Sequence, residues 1–389
     1  MSRATPAHGP EVPRSPAAGA ESATLPAASA QPARQALTPE GAPAELRSGV
    51  RRSPSFREFV LGPTQRHGEV LAGRYRIEGF LARGGTADVF LARDFVEESL
   101  VVIKQIRPEA AAHPELRARF VKEGHATRAI RHPGVVRVLS VEEPDEEAPF
   151  ITLEALRGES LGDYLRRRDK MPVELGLVLM RQAAAALAAV HASGVVHRDV
   201  KPDNLFLVGP PDEPSLLKLL DFGMADFGDE RPSEDSTSVL GTAQYMAPEQ
   251  ILVEPVDARA DVYGLGVVMF RMFSGHLPFE GKSPKELLLH QLFSPVPPPS
   301  WLVEDLDPRL EALILRATKK HRDNRFASMG EMMDALDALL GFRVEGASLP
   351  PCVHPDVYRP QTARGQRVAR HLAVEFGPYA AVPPSTRFA

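Results

Sequence analysis

The stretch His197-Arg198-Asp199-Val200-Lys201-Pro202-Asp203-Asn204 decides how the rest of this chain reads. Asp221-Phe222-Gly223 follows, 22 residues after Asp199, and Gly241-Thr242-Ala243-Gln244-Tyr245-Met246-Ala247-Pro248-Glu249 closes the set. Upstream of this core the chain has the texture of strands. Tyr75-Arg76-Ile77, Val89-Phe90-Leu91-Ala92 and Val101-Val102-Ile103-Lys104 are short β-prone runs separated by turn residues. One helical pattern, Pro114 to Ile130, follows them and ends at His132-Pro133. Two more strands come next, divided by the acidic turn 142–147. Downstream, helical patterns dominate. Leu175 to Ala192 is rich in alanine and leucine, as suits a helix buried on most faces, and others span 260–273, 284–292, 308–319 and 328–340. Strands first and helices afterwards predict a two-lobed α+β body.

Within the strand-rich part, Leu81-Ala82-Arg83-Gly84-Gly85-Thr86-Ala87-Asp88-Val89 lies between two predicted strands. Small residues in such a hairpin let backbone N–H groups approach a polyphosphate without Cβ clashes, although an ordinary hairpin has the same composition. Lys104 stands at the end of an apolar strand, 15 residues after Val89. A lysine on the buried side of a strand needs a counter-charge, and Glu123 in the following helix is the natural partner. The plainer alternative is a surface lysine and an unrelated helical glutamate.

Taken in order, these motifs resemble those of the eukaryotic-like (Hanks-type) serine/threonine protein kinases of bacteria, over Arg74 to Phe342. The resemblance implies a two-lobed protein-kinase fold. A small β-rich N-lobe with one main helix would occupy 74–156, and a larger helical C-lobe 157–342. It implies ATP and Mg²⁺, with Mn²⁺ as a substitute, and protein Ser/Thr hydroxyls as acceptors. Asp199 falls where the family's catalytic base sits. Lys104, held by Glu123, would grip the α- and β-phosphates; Lys201 would contact the transferring γ-phosphate and marks the serine/threonine subtype. Asn204 and Asp221 would supply the hard oxygen ligands that Mg²⁺ prefers. Leu81, Ala82, Arg83, Gly84, Gly85, Thr86 and Ala87 would cover the phosphates. Leu81, Val89 and Val102 would roof the adenine above Phe206, with Glu154 and Leu156 offering hinge backbone groups behind Leu153. Asp261 resembles the helix aspartate that bonds the catalytic-loop backbone, and Arg325 the arginine that pairs with Glu249.

The same resemblance carries regulation and substrate docking. Thr242 matches the threonine that shapes the acceptor pocket. Arg198 matches an arginine that binds phosphate on the activation segment, so Ser236, Thr237 and Ser238 are the candidate phosphosites. Their acidic neighbours Asp229, Glu230, Glu234 and Asp235 are an alternative source of that negative charge. The glycine-rich loop departs from G-x-G-x-x-G-x-V at Ala82 and Ala87. That departure keeps a catalytically weak pseudokinase or ATP-binding scaffold as the alternative function, against which the complete set Lys104, Asp199 and Asp221 argues. A small-molecule kinase is opposed by the complete Ala247-Pro248-Glu249.

Composition frames these motifs. The chain has 389 residues, and its single cysteine, Cys352, excludes a disulfide framework and fits a reducing compartment. A net charge of −5 gives no general basic field, so nucleic acid is not an expected partner. Residues 1–50 hold 13 alanines and 8 prolines without Phe, Tyr, Trp or Ile, and 1–73 reads as a disordered extension. The Pro- and Arg-rich 343–389 reads as a weakly ordered tail. Val262–Phe273, taken as the most apolar stretch, is interrupted by Arg271 and too short to span a bilayer, so no membrane span and a cytoplasmic setting are expected. No residue speaks to oligomeric state.

Overall fold

Period-two alternation along the early strands sorts their side chains onto two faces and builds the small lobe. The computed structural model describes residues 66–341 except 146, 211–212, 222–242 and 282, all within one unit of the chain, Pro54–Ala389. Its first elements are β1 (Val70–Leu71), β2 (Tyr75–Arg83), β3 (Ala87–Asp94), β4 (Ser99–Ile106), the single turn α1 (Pro108–Ala111), α2 (Pro114–Ala129), β5 (Val138–Glu142) and β6 (Phe150–Glu154). The strands form an antiparallel sheet in the order β1-β2-β3-β4-β6-β5. On β4, Val101 and Ile103 join Tyr75, Ile77, Phe90 and Phe150 in one apolar layer. Val102 and Lys104 alternate to the opposite face, as the pleat requires. Helix α2 covers that face, its Phe120 packing with Ala87, Ile106, Val138 and Ile151.

The folded body extends N-terminal of the expected boundary at Arg74. β1 pairs with β2 through Val70↔Arg76 and Leu71↔Tyr75. Arg66 donates to Gln105 at 2.7 Å and lies 5.1 Å from the centre of the Phe90 ring. These contacts close one edge of the sheet, a role that a two-residue strand does not announce in sequence.

The large lobe contains β7 (Gly158–Ser160), α3 (Leu161–Arg168), α4 (Val173–Ala192), β8 (Leu205–Val208), β9 (Leu216–Leu219), α5 (Pro248–Ile251), α6 (Arg259–Ser274), α7 (Pro284–Phe293), α8 (Pro308–Ala317) and α9 (Met329–Leu339). The five helices expected here begin and end within two residues of their sequence-derived bounds. Its core joins Met180, Ala183 and Leu187 of α4 to Leu265, Met269 and Phe270 of α6, Leu313 of α8 and Leu336 of α9. Each fully buried leucine there contributes about 1.5–3 kcal/mol. Helix α6 meets α8 so closely that a Cβ on Gly266 would lie 2.7 Å from the Ala317 methyl, so glycine permits this crossing. Helix α4, with a mean hydropathy of 1.6 over its apolar window, is the one described helix long and apolar enough to cross a membrane. In the fold it is a core helix of this lobe.

Candidate active site

The segment 197–204 is an irregular loop that ends in a single 3-10 turn, Pro202–Asn204, and its shape is imposed by the start of α6. Asp261, buried in the first turn of α6, accepts the backbone N–H groups of His197 at 2.8 Å and Arg198 at 2.7 Å. His191, from the last turn of α4, closes on the same carboxylate at 2.7 Å. These bonds hold Arg198 at φ 65°, a left-handed conformation that a residue with a side chain adopts only when its surroundings demand it. The Arg198 carbonyl is capped by Gln250 Nε2 at 2.7 Å. The Leu220 carbonyl can only accept, so the His197 Nε2 facing it at 3.0 Å carries the proton. Nδ1 of the same ring then receives the Asp199 N–H at 3.3 Å.

This frame delivers Asp199 beside two cationic or amide donors. Lys201 Nζ lies 2.8 Å from Asp199 Oδ2, and Asn204 Nδ2 donates to that oxygen at 2.9 Å and to the Asp199 carbonyl at 2.8 Å. Because the Asn204 nitrogen is committed to Asp199, its amide oxygen is the atom left for a metal. Asp221, at φ 37°, supplies a carboxylate at the end of the short strand β9. Two hard oxygen donors of this kind suit Mg²⁺, which keeps several waters and completes its shell with phosphate oxygens.

Across the cleft, Lys104 Nζ lies 2.8 Å from Asp221 Oδ1 and 3.5 Å from Glu123 Oε1. The expected Lys104–Glu123 pair is therefore present, and Asp221 joins it at shorter range. Burial pulls the Lys104 ammonium down, but the charges of Asp221 and then Glu123 outweigh it and hold its pKa above the usual lysine value. The Lys104 charge, reinforced by its hydrogen bond, holds the Asp221 carboxyl below the usual carboxylate range. Burial raises Glu123, and the nearby Asp221 adds to that rise against the pull of Lys104.

The glycine-rich loop is the β2–β3 hairpin. Gly84 N–H donates to the Ala87 carbonyl at 2.8 Å, and Arg83 pairs with Asp88 at 2.9 Å just before the turn. Arg107 ties the hairpin to the end of β4, its guanidinium bonding the Gly85 carbonyl and its N–H the Thr86 carbonyl. Ala82 is exposed, whereas the Ala87 methyl is buried with Ile106, Ala110 and Phe120. The second departure from the glycine pattern thus has a packing reason.

Leu81, Val89, Val102, Leu156 and Phe206 are all half-buried in or beside the strands that bound the cleft. The Glu154 side chain does more than sequence suggested: it accepts the Arg137 N–H at 2.8 Å and Lys218 Nζ at 2.5 Å, tying the end of β6 to β9. Arg325 and Glu249 form a fully buried bidentate pair at 2.7 and 2.8 Å. Arg325 also donates to the carbonyls of Lys319, Lys320 and Arg259. Thr242, Ser236, Thr237 and Ser238, with Phe222 and Gly223, lie outside the described residues. Sequence reading missed Gln250, His191 and Lys218. Gln250 had a signal, since it stands two residues after a helix-opening proline and returns its Oε1 to the Ala247 N–H at 3.0 Å.

Comparison with known proteins agrees with this geometry. The family profile of the protein kinase domain matches residues 75–335. Serine/threonine-protein kinase Pkn1 of Myxococcus xanthus is 35% identical over 305 residues, covering 77% of this chain and 43% of that protein. Pkn3 of the same organism is 34% identical over 296 residues, 74% of this chain and 52% of its own length. Serine/threonine-protein kinase PknB of Mycobacterium tuberculosis is 34% identical over 267 residues, 67% of this chain and 42% of that protein. The chain spans about half or less of the length of these curated relatives. The crystal structure of the Mycobacterium tuberculosis PknI kinase domain superposes with a TM-score of 0.56 at 27% identity, covering 71% of this chain and 98% of that one.

Proposed function

This chain belongs to the protein kinase family, among the bacterial Hanks-type serine/threonine kinases, and from that premise we propose that it is an active enzyme transferring the γ-phosphate of ATP to protein Ser/Thr hydroxyls. The observation that carries the reading is the pairing of Asp199 with Lys201 and Asn204, opposite Lys104 between Asp221 and Glu123. Phosphoryl transfer needs in-line positioning and neutralisation of phosphate charge more than covalent work by the protein.

Each group has a task in that scheme. Asp199 orients the acceptor hydroxyl and takes its proton as the oxygen attacks, and Lys201 offers positive charge to the moving phosphoryl group. Lys104 grips the α- and β-phosphates. Bound Mg²⁺, held by Asp221 and Asn204, would neutralise phosphate charge and favour transfer. Leu81, Val89, Val102 and Phe206 enclose the adenine, and the backbone of Glu154 and Leu156 bonds its edge. The Gly84–Ala87 hairpin covers the phosphates with backbone N–H groups. Thr242 shapes the acceptor pocket. Autophosphorylation at Ser236, Thr237 or Ser238 would recruit Arg198, whose backbone Asp261 already fixes. Signalling in a reducing, cytoplasmic setting suits the lone Cys352.

The test is incubation of purified protein with Mg–ATP and a generic basic protein substrate, beside an Asp199→Asn control. Loss of a positioned acid–base group lowers transfer by about 10²–10⁴-fold. Equal incorporation by both proteins, or none by either across several substrates, would overturn the proposal.

A further inference from the structure

Beneath the segment that follows Thr242 runs a chain of buried polar groups that touches none of the catalytic side chains. Lys320 Nζ donates to the Tyr263 hydroxyl at 3.3 Å, and to the backbone carbonyls of Gln291 at 2.7 Å and His290 at 3.4 Å. The Tyr263 hydroxyl donates to Gln291 Oε1. Gln291 Nε2 then donates to the carbonyls of Gln244 at 2.5 Å and Ala243 at 3.4 Å. Lys320, Tyr263 and Gln291 are all buried.

The two ends of this chain fix its direction. An ammonium only donates and a backbone carbonyl only accepts, so each hydrogen between them must point toward residues 243–244. Gln291 therefore has a single amide orientation, and the Tyr263 hydroxyl a single donor direction. Apolar packing supports the same spot. The Ala243 methyl clusters with Phe279 and Leu287, and the Phe279 ring centre lies 4.3 Å from Lys320 Nζ. Helices α6 and α7 and the segment just after α8 thus converge on two consecutive carbonyls between Thr242 and Ala247-Pro248-Glu249.

We propose that Gln291 is a positioning residue for the protein substrate. It sets the height and tilt of residues 243–245, oriented in turn by Tyr263 and Lys320, and does so without reaching the nucleotide. The inference rests on the proposed kinase activity and names how the acceptor side of that site is held. A side chain without an amide at 291 would leave acceptors buried and unpaired, and the segment would loosen to find water or new donors.

The full chain carrying Gln291→Leu or Tyr263→Phe tests this. Two Michaelis constants are measured separately, for a protein substrate and for Mg–ATP, together with amide hydrogen exchange across residues 243–247. For Gln291→Leu the protein-substrate KM should rise by about tenfold and exchange should quicken by a similar factor, while the ATP KM stays within about twofold. Tyr263→Phe, which deletes one oxygen and keeps the ring packed, should give a smaller effect of the same kind and carries the test if Gln291→Leu does not fold. An unchanged protein-substrate KM with unchanged exchange would overturn the inference, as would equal rises in both KM values. A wild-type protein that transfers no phosphate would instead overturn the kinase reading and the substrate role with it, and the exchange comparison would then report only whether Gln291 holds the backbone of residues 243–245.

Discussion

The two sides of the cleft, to which we assign acceptor and nucleotide roles by proposal, hold their charged groups by different means. On the acceptor side, Asp199 rests on a loop pinned by Asp261, Gln250 and His197, and the fully buried Arg325–Glu249 pair anchors the neighbouring segment. On the nucleotide side, Lys104 depends on Glu123 from its own lobe and on Asp221, half-exposed, from the other. The acceptor side is preformed within one lobe. The nucleotide side exists only where two lobes meet, so its geometry follows their relative placement.

Breaking the anchor on the acceptor side should have the largest effect on the fold. Arg325→Leu leaves Glu249 as an uncompensated buried charge, at a cost of about 3–5 kcal/mol. Thermal unfolding should show a drop in Tm on the order of 10 °C. A drop no larger than that of a surface substitution would mean that this side does not rely on the pair.

A change on the nucleotide side should be read first in charge. Lys104→Met removes the main cause of the depressed Asp221 pKa, so that carboxyl should titrate closer to the usual carboxylate value. The sign follows from the depression. In the parent protein the interaction stabilises the fold above the ordinary carboxylate pKa and is lost as pH falls through the lower folded value. The variant should lack that acid-side dependence. Carbon-13 NMR titration of the Asp221 carboxyl tests it, and an unchanged midpoint would separate Asp221 from Lys104. ATP affinity should fall by about tenfold or more with the lost charged contact.

The smallest effects belong to the glycine-rich loop. Ala87→Gly removes a buried methyl and frees the backbone, costing about 1 kcal/mol in thermal or denaturant unfolding. Ala82→Gly, at an exposed position, should change ATP affinity by less than about twofold in calorimetry. A large gain in affinity from Ala82→Gly would show that this alanine limits nucleotide binding.

What was legible in sequence follows the same division. The lobes and the long helices emerged from hydrophobic period, and Lys104–Glu123 from a strand lysine that demands a counter-charge, whereas Arg325–Glu249 was legible only through the resemblance to the kinase family. The close Lys104–Asp221 contact joins residues 117 positions apart, and no local pattern encodes how two lobes settle. The edge strand Val70–Leu71 is too short to show alternation, so the small lobe reached further toward the N-terminus than composition indicated. The Glu154–Lys218 tie was hidden because a glutamate at a strand end reads as solvated until the facing strand is in place. Gln291 had no signal at all: an amide on a helix reads as a surface residue, and only packing shows it buried against two carbonyls.

The comparison of the two sides reduces to one paired measurement. ATP affinity and phosphate incorporation are determined for the parent protein, Asp199→Asn and Lys104→Met. The account predicts that Asp199→Asn keeps ATP affinity within about threefold while losing transfer by about 10²-fold or more, and that Lys104→Met loses both. Transfer by Asp199→Asn at the parent rate would contradict it.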